Sequence, residues 1–324
     1  MKVVTTGERP PLGFSLGTRG KTVLMTGERE KRAHSEAGVF LRWAASSTKR
    51  YKIGEHIILL NREHLLPDYQ SQHRLYDRFL PILCKQFNDL DRWIIDVGAN
   101  VGDTAVAIAQ ACHNPILCIE GDDDFFKLLQ YNVDKFFAER KPAVICIKAM
   151  VGSGRFSGFL EGDGTTAFLA QSEARCRFAS TLDDLSRDVG APAAAISIIK
   201  VDTDGYDGDV ILSAAIILAA SKPVIFWENY FSTVEQMRDL EVLYQGLHDV
   251  GYRYFWVFDN FGNLMLQECS VNNILDLNEY VASQEFHGCT RSIFYTDILA
   301  APDDKLARVR KAISIYRSSV IEQE

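Results

Sequence analysis

The sequence has no uninterrupted apolar run of transmembrane length, and its amino end, MKVVTTGERPPLGFSLGTRGKTVLMTGEREKR, lacks the apolar segment of a secretion signal. Nor does it carry an excess of positive charge. With 43 acidic against 35 basic residues the net charge is -8, so no general field attracts a phosphate backbone and nucleic acid is not an expected partner. There is no Cys-x-x-Cys pair. The seven cysteines (Cys84, Cys112, Cys118, Cys146, Cys176, Cys269 and Cys289) are an odd number in a long chain, several of them inside apolar runs such as ILCIE and VICIK. Reduced, buried thiols in a cytoplasmic protein without a membrane span are the expectation.

What is present is an ordinary globular composition, 47% hydrophobic and 24% charged over 324 residues, which suits one main domain with an appendage. Residues 1–38, rich in Gly, Thr and Arg and without an apolar period, read as a flexible or loosely docked arm. The TGER that occurs at Thr6–Arg9 and again at Thr26–Arg29 is too short to establish a repeat. Residues 39–90 read as an ordered lead-in segment able to cover an active site: YKIGEHIILL as a strand, then SQHRLYDRFLPILCKQF with Leu75, Phe79, Ile82, Leu83 and Phe87 near helical spacing. Residues 91–300 form the main domain and 301–324 a C-terminal helix. Its Leu306, Val309, Ile313 and Tyr316 suit docking on the domain or a dimer contact in a homo-oligomer equally.

Within the main domain, short aliphatic runs alternate with helical patterns. The strand candidates are RWIIDVG, PILCIEG, AVICIKAM, ISIIKVD, PVIFWEN, RYFWVFD and RSIFYTD; the helix candidates include DTAVAIAQAC, DDFFKLLQYNVDKFFAER, TLDDLSRD and VEQMRDLEVLYQGLHDV. Apolar strands alternating with helices predict an α/β fold, a doubly wound, mostly parallel seven-stranded sheet. NFGNLM and a short polar helix separate the last two strands, which predicts an antiparallel edge there. Five candidates end in or beside an acid, Asp96, Glu120, Asp202, Glu228 and Asp259, where ligands of such sheets bind.

IIDVGANVGDTAVAIA is the most informative stretch. A buried strand ends at Asp96, Gly98 and Gly102 let the main chain approach a bound molecule, and Asp103-Thr104 suit a helix start. The next strand ends at Glu120, where an acid can accept both hydroxyls of a ribose. The spacing Gly-x-x-x-Gly is neither the dinucleotide fingerprint nor a P-loop, and no lysine follows Gly102. An acid at Asp96, where a pyrophosphate would approach, argues for a cationic or neutral ligand.

Asp96-Val97-Gly98-Ala99-Asn100-Val101-Gly102 resembles motif I of the class I S-adenosylmethionine-dependent methyltransferases, and Glu120 matches their ribose acid. With STLDDL, ISIIKVDTDGYDGDVILSA and PVIFWEN following in order, residues 75 to 300 resemble the FkbM-type family. One departure is Asp204, where that family has Glu before the glycine. The resemblance implies a Rossmann-like methyltransferase fold with S-adenosylmethionine as cofactor. It implies that Asp96, Gly98, Asn100 and Gly102 surround its amino-acid part, Glu120 its ribose and Ala149 and Met150 its adenine, with Ala99, Asp103 and Thr104 also binding the cofactor. Asp202 would face the methionine moiety and the acceptor.

The implied reaction is O-methylation of a sugar, glycan or secondary-metabolite hydroxyl, since DTDGYD replaces the Asn-Pro-Pro-aromatic loop of many N-methylating enzymes. Asp202, Asp204 and Glu228 are the candidates for the acceptor's proton, with Asp207 beside them and His64 and His73 as lesser ones. The plain alternative for Asp202, Asp204 and Asp207 is to cap the following helix. These acids with Glu228 have the oxygen donors of a divalent cation, but no histidine joins them and metal is not expected. Two other readings stand beside this one: a non-catalytic S-adenosylmethionine-binding module, and a nicotinamide oxidoreductase, which the glycine spacing opposes.

Overall fold

The computed structural model describes residues 47–162, 165, 167–286 and 293–321. The chain divides into two units, Met1–Thr48 and Lys49–Glu324. The arm expected over residues 1–38 lies outside the described residues. Strands β1 (Thr48–Ile53) and β2 (His56–Asn61) pair as a hairpin, turning at Gly54 with φ +54°. Helices α1 (Leu66–Gln72) and α2 (Phe79–Gln86) come after it. The helix expected from residue 71 onward thus starts only at Phe79. Leu75 sits in a turn instead, its carbonyl accepting from Arg78 N–H at 3.1 Å.

Next come β3 (Trp93–Val97), α3 (Asp103–Ala111), β4 (Ile116–Glu120), α4 (Asp123–Phe137) and β5 (Val144–Lys148). β3 and β4 are aliphatic apart from their tips because both faces are covered. α4 starts where the Asp122 carboxylate accepts from Asp124 and Phe125 N–H at 2.8 and 3.0 Å. It buries Phe125, Leu128, Leu129, Val133 and Phe137. Its Asn132, fully buried, bonds Leu59 through both N–H and C=O and also donates to Val101 O, all at 2.8 Å. One side chain thereby joins the β1–β2 hairpin to the loop after β3.

A second hairpin, β6 (Arg155–Gly162) and β7 (Ala167–Phe178), stands where the sequence pattern gives no strand. α5 (Leu182–Asp188), β8 (Ile196–Val201), α6 (Asp207–Leu212), α7 (Ala215–Ser221), β9 (Val224–Asn229) and α8 (Val234–Asp249) continue the alternation. The chain closes with β10 (Tyr254–Asp259), β11 (Leu264–Cys269), α9 (Val271–Phe286), β12 (Thr296–Ala301) and α10 (Leu306–Ile321).

The main sheet has the order β11-β10-β12-β9-β8-β3-β4-β5. β5, β4, β3, β8 and β9 are parallel, and β12 runs antiparallel between β9 and β10. This is the doubly wound, mostly parallel sheet with an antiparallel last strand. It differs in detail from the sequence pattern: NFGNLM leads into an eighth strand, β11, which forms the edge, and the polar connection is the 16-residue α9. β12 runs Thr296–Ala301, beginning near the end of the RSIFYTD candidate, whose Arg291 and Ser292 lie outside the described residues; Tyr295, just before it, lines both cavities. In α10, Leu306, Val309, Ile313 and Tyr316 are all buried, and Tyr316 Oη donates to Gly262 O at 2.6 Å. The strand order reverses between β3 and β8, so the site expected of this fold lies at their tips.

Candidate functional site

After β3 the backbone makes a left-handed turn at Gly98 (φ +70°), where a Cβ would stand 1.8 Å from Asp202 O. Only glycine lets the tips of β3 and β8 come this close. Gly98 and Ala99 N–H both donate to Ile119 O, at 2.9 and 3.0 Å. Asn100, also left-handed (φ +48°), donates its N–H to Glu120 Oε2 at 2.8 Å, and Asp122 N–H donates to Oε1 at 2.7 Å. Glu120 is therefore oriented by two main-chain donors, and each of its oxygens keeps a second acceptor position. Burial pushes its pKa up against the pull of those donors. α3 begins at Asp103 as expected, with the Asp103 carboxylate in its first turn, while its N-cap, Gly102 (φ +84°), supplies no side-chain cap.

Asp96 is fully buried at the tip of β3, with Lys200 Nζ 3.1 Å from its Oδ1. Among the described residues neither carboxylate oxygen accepts a well-directed hydrogen bond, so the contact is chiefly an ion pair. Lys200 also donates to Gly98 O at 2.9 Å and lies 3.4 Å from Asp202 Oδ2. Desolvation pushes the Asp96 pKa up to about 6 although Lys200 opposes it. Desolvation opposes the charge on Lys200 as well, but Asp96 and Asp202 outweigh it and hold the ammonium charged. The sequence signal for this lysine is its place in ISIIKV, an otherwise nearly apolar strand, where a buried charge requires partners.

A cavity of about 580 Å³ opens beyond these tips. Gly98, Ala99, Asn100, Asp103, Thr104, Glu120, Ala149, Met150 and Asp202 line it, as do Asp204 and Glu228. Asp96 and Gly102, expected beside them, do not: Asp96 lies beneath the turn, and Gly102 packs against Leu129. A second cavity of about 760 Å³ adjoins the first. Tyr76, Asp77, Asp103, Thr104, Lys200, Asp202, Glu228 and Tyr295 line both, whereas Asp204 lines only the first and Asp297 only the second. Of the three carboxylates expected to serve the acceptor, Asp202 and Glu228 thus stand at the junction and Asp204 does not.

The junction is short of positive charge. Asp77 lines both cavities with its side chain exposed to them, and desolvation by the surrounding protein, then Asp103 and Asp202, push its pKa up to about 8. Asp207 is 1% exposed; its Oδ2 accepts from Thr203 N–H at 3.2 Å and Thr203 Oγ1 at 2.9 Å. It therefore braces the loop after β8 rather than simply capping α6, and burial pushes its pKa up to about 7. Asp204 holds a left-handed backbone (φ +50°) just before Gly205 (φ +95°).

His64 is 5% exposed and lines the first cavity. Leu66 N–H donates to its Nδ1 at 3.2 Å, which leaves the ring proton on Nε2, 3.4 Å from Asn100 Oδ1. Asn100 Nδ2 donates in turn to Thr165 O at 2.8 Å, and Thr165 Oγ1 accepts from Leu65 N–H at 3.2 Å. His73 is elsewhere, stacked on Phe261 with centroids 3.6 Å apart. Tyr76, Asp77, Tyr295 and Asp297 carry no motif, and only folding brings them here. Among the described residues no group of three or more His, Cys, Asp or Glu side chains is arranged to hold a metal ion, and no helix is long and apolar enough to cross a membrane.

No family model matches the chain, and no curated protein matches it. Solved structures follow a similar path at low identity. An O-methyltransferase from Bacillus cereus in complex with SAH is 13% identical with a TM-score of 0.40, over 74% of this chain and 89% of its own. A putative O-methyltransferase from Klebsiella pneumoniae gives 13% and 0.38 over 72% and 86%. Precorrin-6y C5,15-methyltransferase from Geobacter metallireducens gives 13% and 0.36 over 68% and 85%. Likenesses this distant concern the fold alone, and function has to be argued from the site.

Proposed function

We propose that this chain is an S-adenosylmethionine-dependent methyltransferase acting on a hydroxyl of a sugar, a glycan or a secondary metabolite. The charge of the first cavity carries the reading. Asp77, Asp103, Glu120, Asp202, Asp204, Asp209 and Glu228 line it; among the described residues Lys200 is its only lysine or arginine, and that lysine is already paired. A dinucleotide or triphosphate would add negative charge here, whereas S-adenosylmethionine brings a sulfonium and an ammonium against one carboxylate. A volume of about 580 Å³ falls within the range of small-molecule sites.

When bound, the cofactor supplies a methyl group on positively charged sulfur. Glu120 holds the ribose hydroxyls with the acceptor positions that Asn100 and Asp122 leave open. Gly98, Ala99, Asn100, Asp103 and Thr104 surround the amino-acid part, and Ala149 and Met150 lie against the adenine. Asp96 and Gly102 act from beneath, Asp96 through Lys200 and Gly102 by shaping the turn. Methyl transfer is an in-line displacement, so the chain must hold the acceptor oxygen close and collinear and relieve it of a proton. Asp202 and Glu228, on the wall common to both cavities, are placed for that task. The free, buried thiols of Cys84, Cys112 and Cys118 suit a reducing cytoplasm.

The test offers methyl-labelled S-adenosylmethionine with a panel of sugars and phenols, alongside bulk protein and RNA. Label in a hydroxyl compound supports the reading. Label only in protein or RNA contradicts it.

A further inference from the structure

β9 and β12 run antiparallel in a register that sets Glu228 directly opposite Asp297. Like charges facing each other across a strand pair oppose folding, and two carboxylates in one site do not ionise together without penalty. The register is locked one step away. Asn229, opposite Thr296, donates to Thr296 Oγ1 at 3.0 Å and Asn278 Oδ1 at 2.8 Å, and accepts from Tyr244 Oη at 2.8 Å. Separating the two acids would break that buried network.

Glu228 Oε2 is sealed from solvent and has no hydrogen-bond partner among the described residues. A buried carboxylate oxygen without a donor is unfavourable, and a proton shared with a second carboxyl supplies one. The neighbouring charges offer little remedy. Asp202, Asp204 and Asp207 act on Glu228 from the end of β8 and the segment after it; Asp202, Asp77 and Asp207 likewise raise Asp297, against a smaller opposing pull from Lys200. Tyr295, near both, has its hydroxyl pKa raised by burial and is neutral. Lys200 is already shared between Asp96 and Asp202. Burial, together with these acids, holds both carboxyls well above the usual carboxylate range.

We infer that Glu228 and Asp297 form a proton-sharing carboxyl pair, and that this pair takes the proton of the acceptor hydroxyl during methyl transfer. The inference rests on the methyl-transfer reading and adds Asp297 to it. Glu228 lines both cavities and Asp297 the second, so the pair reaches from the junction into the second cavity. In the empty protein the pair holds one proton. It yields that proton to solvent when a positively charged methyl donor occupies the first cavity. As the hydroxyl oxygen bonds to the methyl carbon, the carbon–sulfur bond breaks and its electron pair stays on sulfur, giving a neutral thioether. The hydroxyl proton passes to the ionised pair, which returns to its singly protonated state.

The first test reads the carboxyls directly. The full chain, labelled with carboxyl-13C Glu and Asp, is titrated by NMR, with Glu228→Gln and Asp297→Asn assigning the two signals. The pair predicts coupled steps in the wild type, and in each variant a surviving partner that titrates about one pH unit or more lower. A carboxyl that titrates identically with and without its partner overturns the pairing. Each variant tests the pair alone, so one that fails to fold leaves the other decisive, and no cofactor is involved.

The second test titrates S-adenosylmethionine and S-adenosylhomocysteine by calorimetry at neutral pH in buffers of different ionisation enthalpy. The wild type should release up to about one more proton with the charged ligand than with the neutral one, and both variants should abolish the difference. Equal release in the wild type, or a difference surviving in both variants, overturns the role as base. Failure of either ligand to bind counts against the methyl-transfer reading and removes the base role with it, while the NMR titration still decides the pairing.

Discussion

Lys200 Nζ lies 3.1 Å from Asp96 Oδ1 at the point where the strand order reverses, and the same ammonium donates to Gly98 O at 2.9 Å. One buried cation thus fixes the tip of β8 against the tip of β3 and the turn after it. A buried ion pair adds little net stability over an apolar pair, but removing one partner strands the other. Its value here is geometric, because the pair sets the floor of the first cavity.

Replacing Lys200 with Met should therefore destabilise the fold by about 3 to 5 kcal/mol, since Asp96 is left buried and uncompensated. Adding Asp96→Asn should recover much of the loss. Urea unfolding of the two single variants and the double variant measures this; additive losses would contradict the pairing.

Asp207 gives stability a pH dependence of known sign. Its folded pKa of about 7 lies above the ordinary 3.8, so the folded state binds the proton more tightly. The resulting stabilisation is whole below 3.8 and is lost as pH rises through about 7. Asp207→Asn keeps an acceptor for Thr203 and cannot ionise. Relative to this variant, wild-type stability should fall across that window by up to a few kcal/mol. Parallel urea midpoints across the window would contradict the assignment.

Gly98→Ala should cost at least about 3 kcal/mol and remove cofactor binding, because the new methyl meets Asp202 O and the backbone is left-handed. Gly208→Ala is the contrast. Its Cβ would meet only Leu243 side-chain atoms, Cβ at 3.7 Å being the nearest, inside α6, so thermal unfolding should show a gain of about 0.5 to 1 kcal/mol.

His64→Ala should weaken S-adenosylmethionine binding by about 0.5 to 1.5 kcal/mol through loss of its hydrogen bond to Asn100. His73→Ala, on the Phe261 stack, should leave binding unchanged. Equal effects of the two substitutions in equilibrium dialysis would contradict the placement of His64 at the site.

The parts of the fold legible in the sequence are those where burial dictates residue type. β3, β4 and β8 are buried on both faces, and their aliphatic runs show it. RSIFYTD overlaps the last strand only at Thr296 and Asp297, since an apolar ring such as Tyr295's, which lines both cavities, looks the same in sequence as one buried in a sheet. The turn from Gly98 to Gly102 is legible because a left-handed backbone selects glycine. Asp297 and His64 are not legible as partners of Glu228 and Asn100, since both pairings join distant segments and leave no local spacing. Lys200 stands in plain view as a charge in an apolar strand, but its partners are set by the parallel register of β3 and β8.

Whether this site binds S-adenosylmethionine through Glu120 is decided by calorimetric titration of S-adenosylmethionine and S-adenosylhomocysteine into the wild type and Glu120→Ala, with thermal unfolding to show that the variant is folded. Micromolar binding, weakened in the variant by about 1 to 3 kcal/mol as a charge-assisted hydrogen bond is lost, is the predicted result. Absence of binding by either ligand, or equal affinity in wild type and variant, would contradict it.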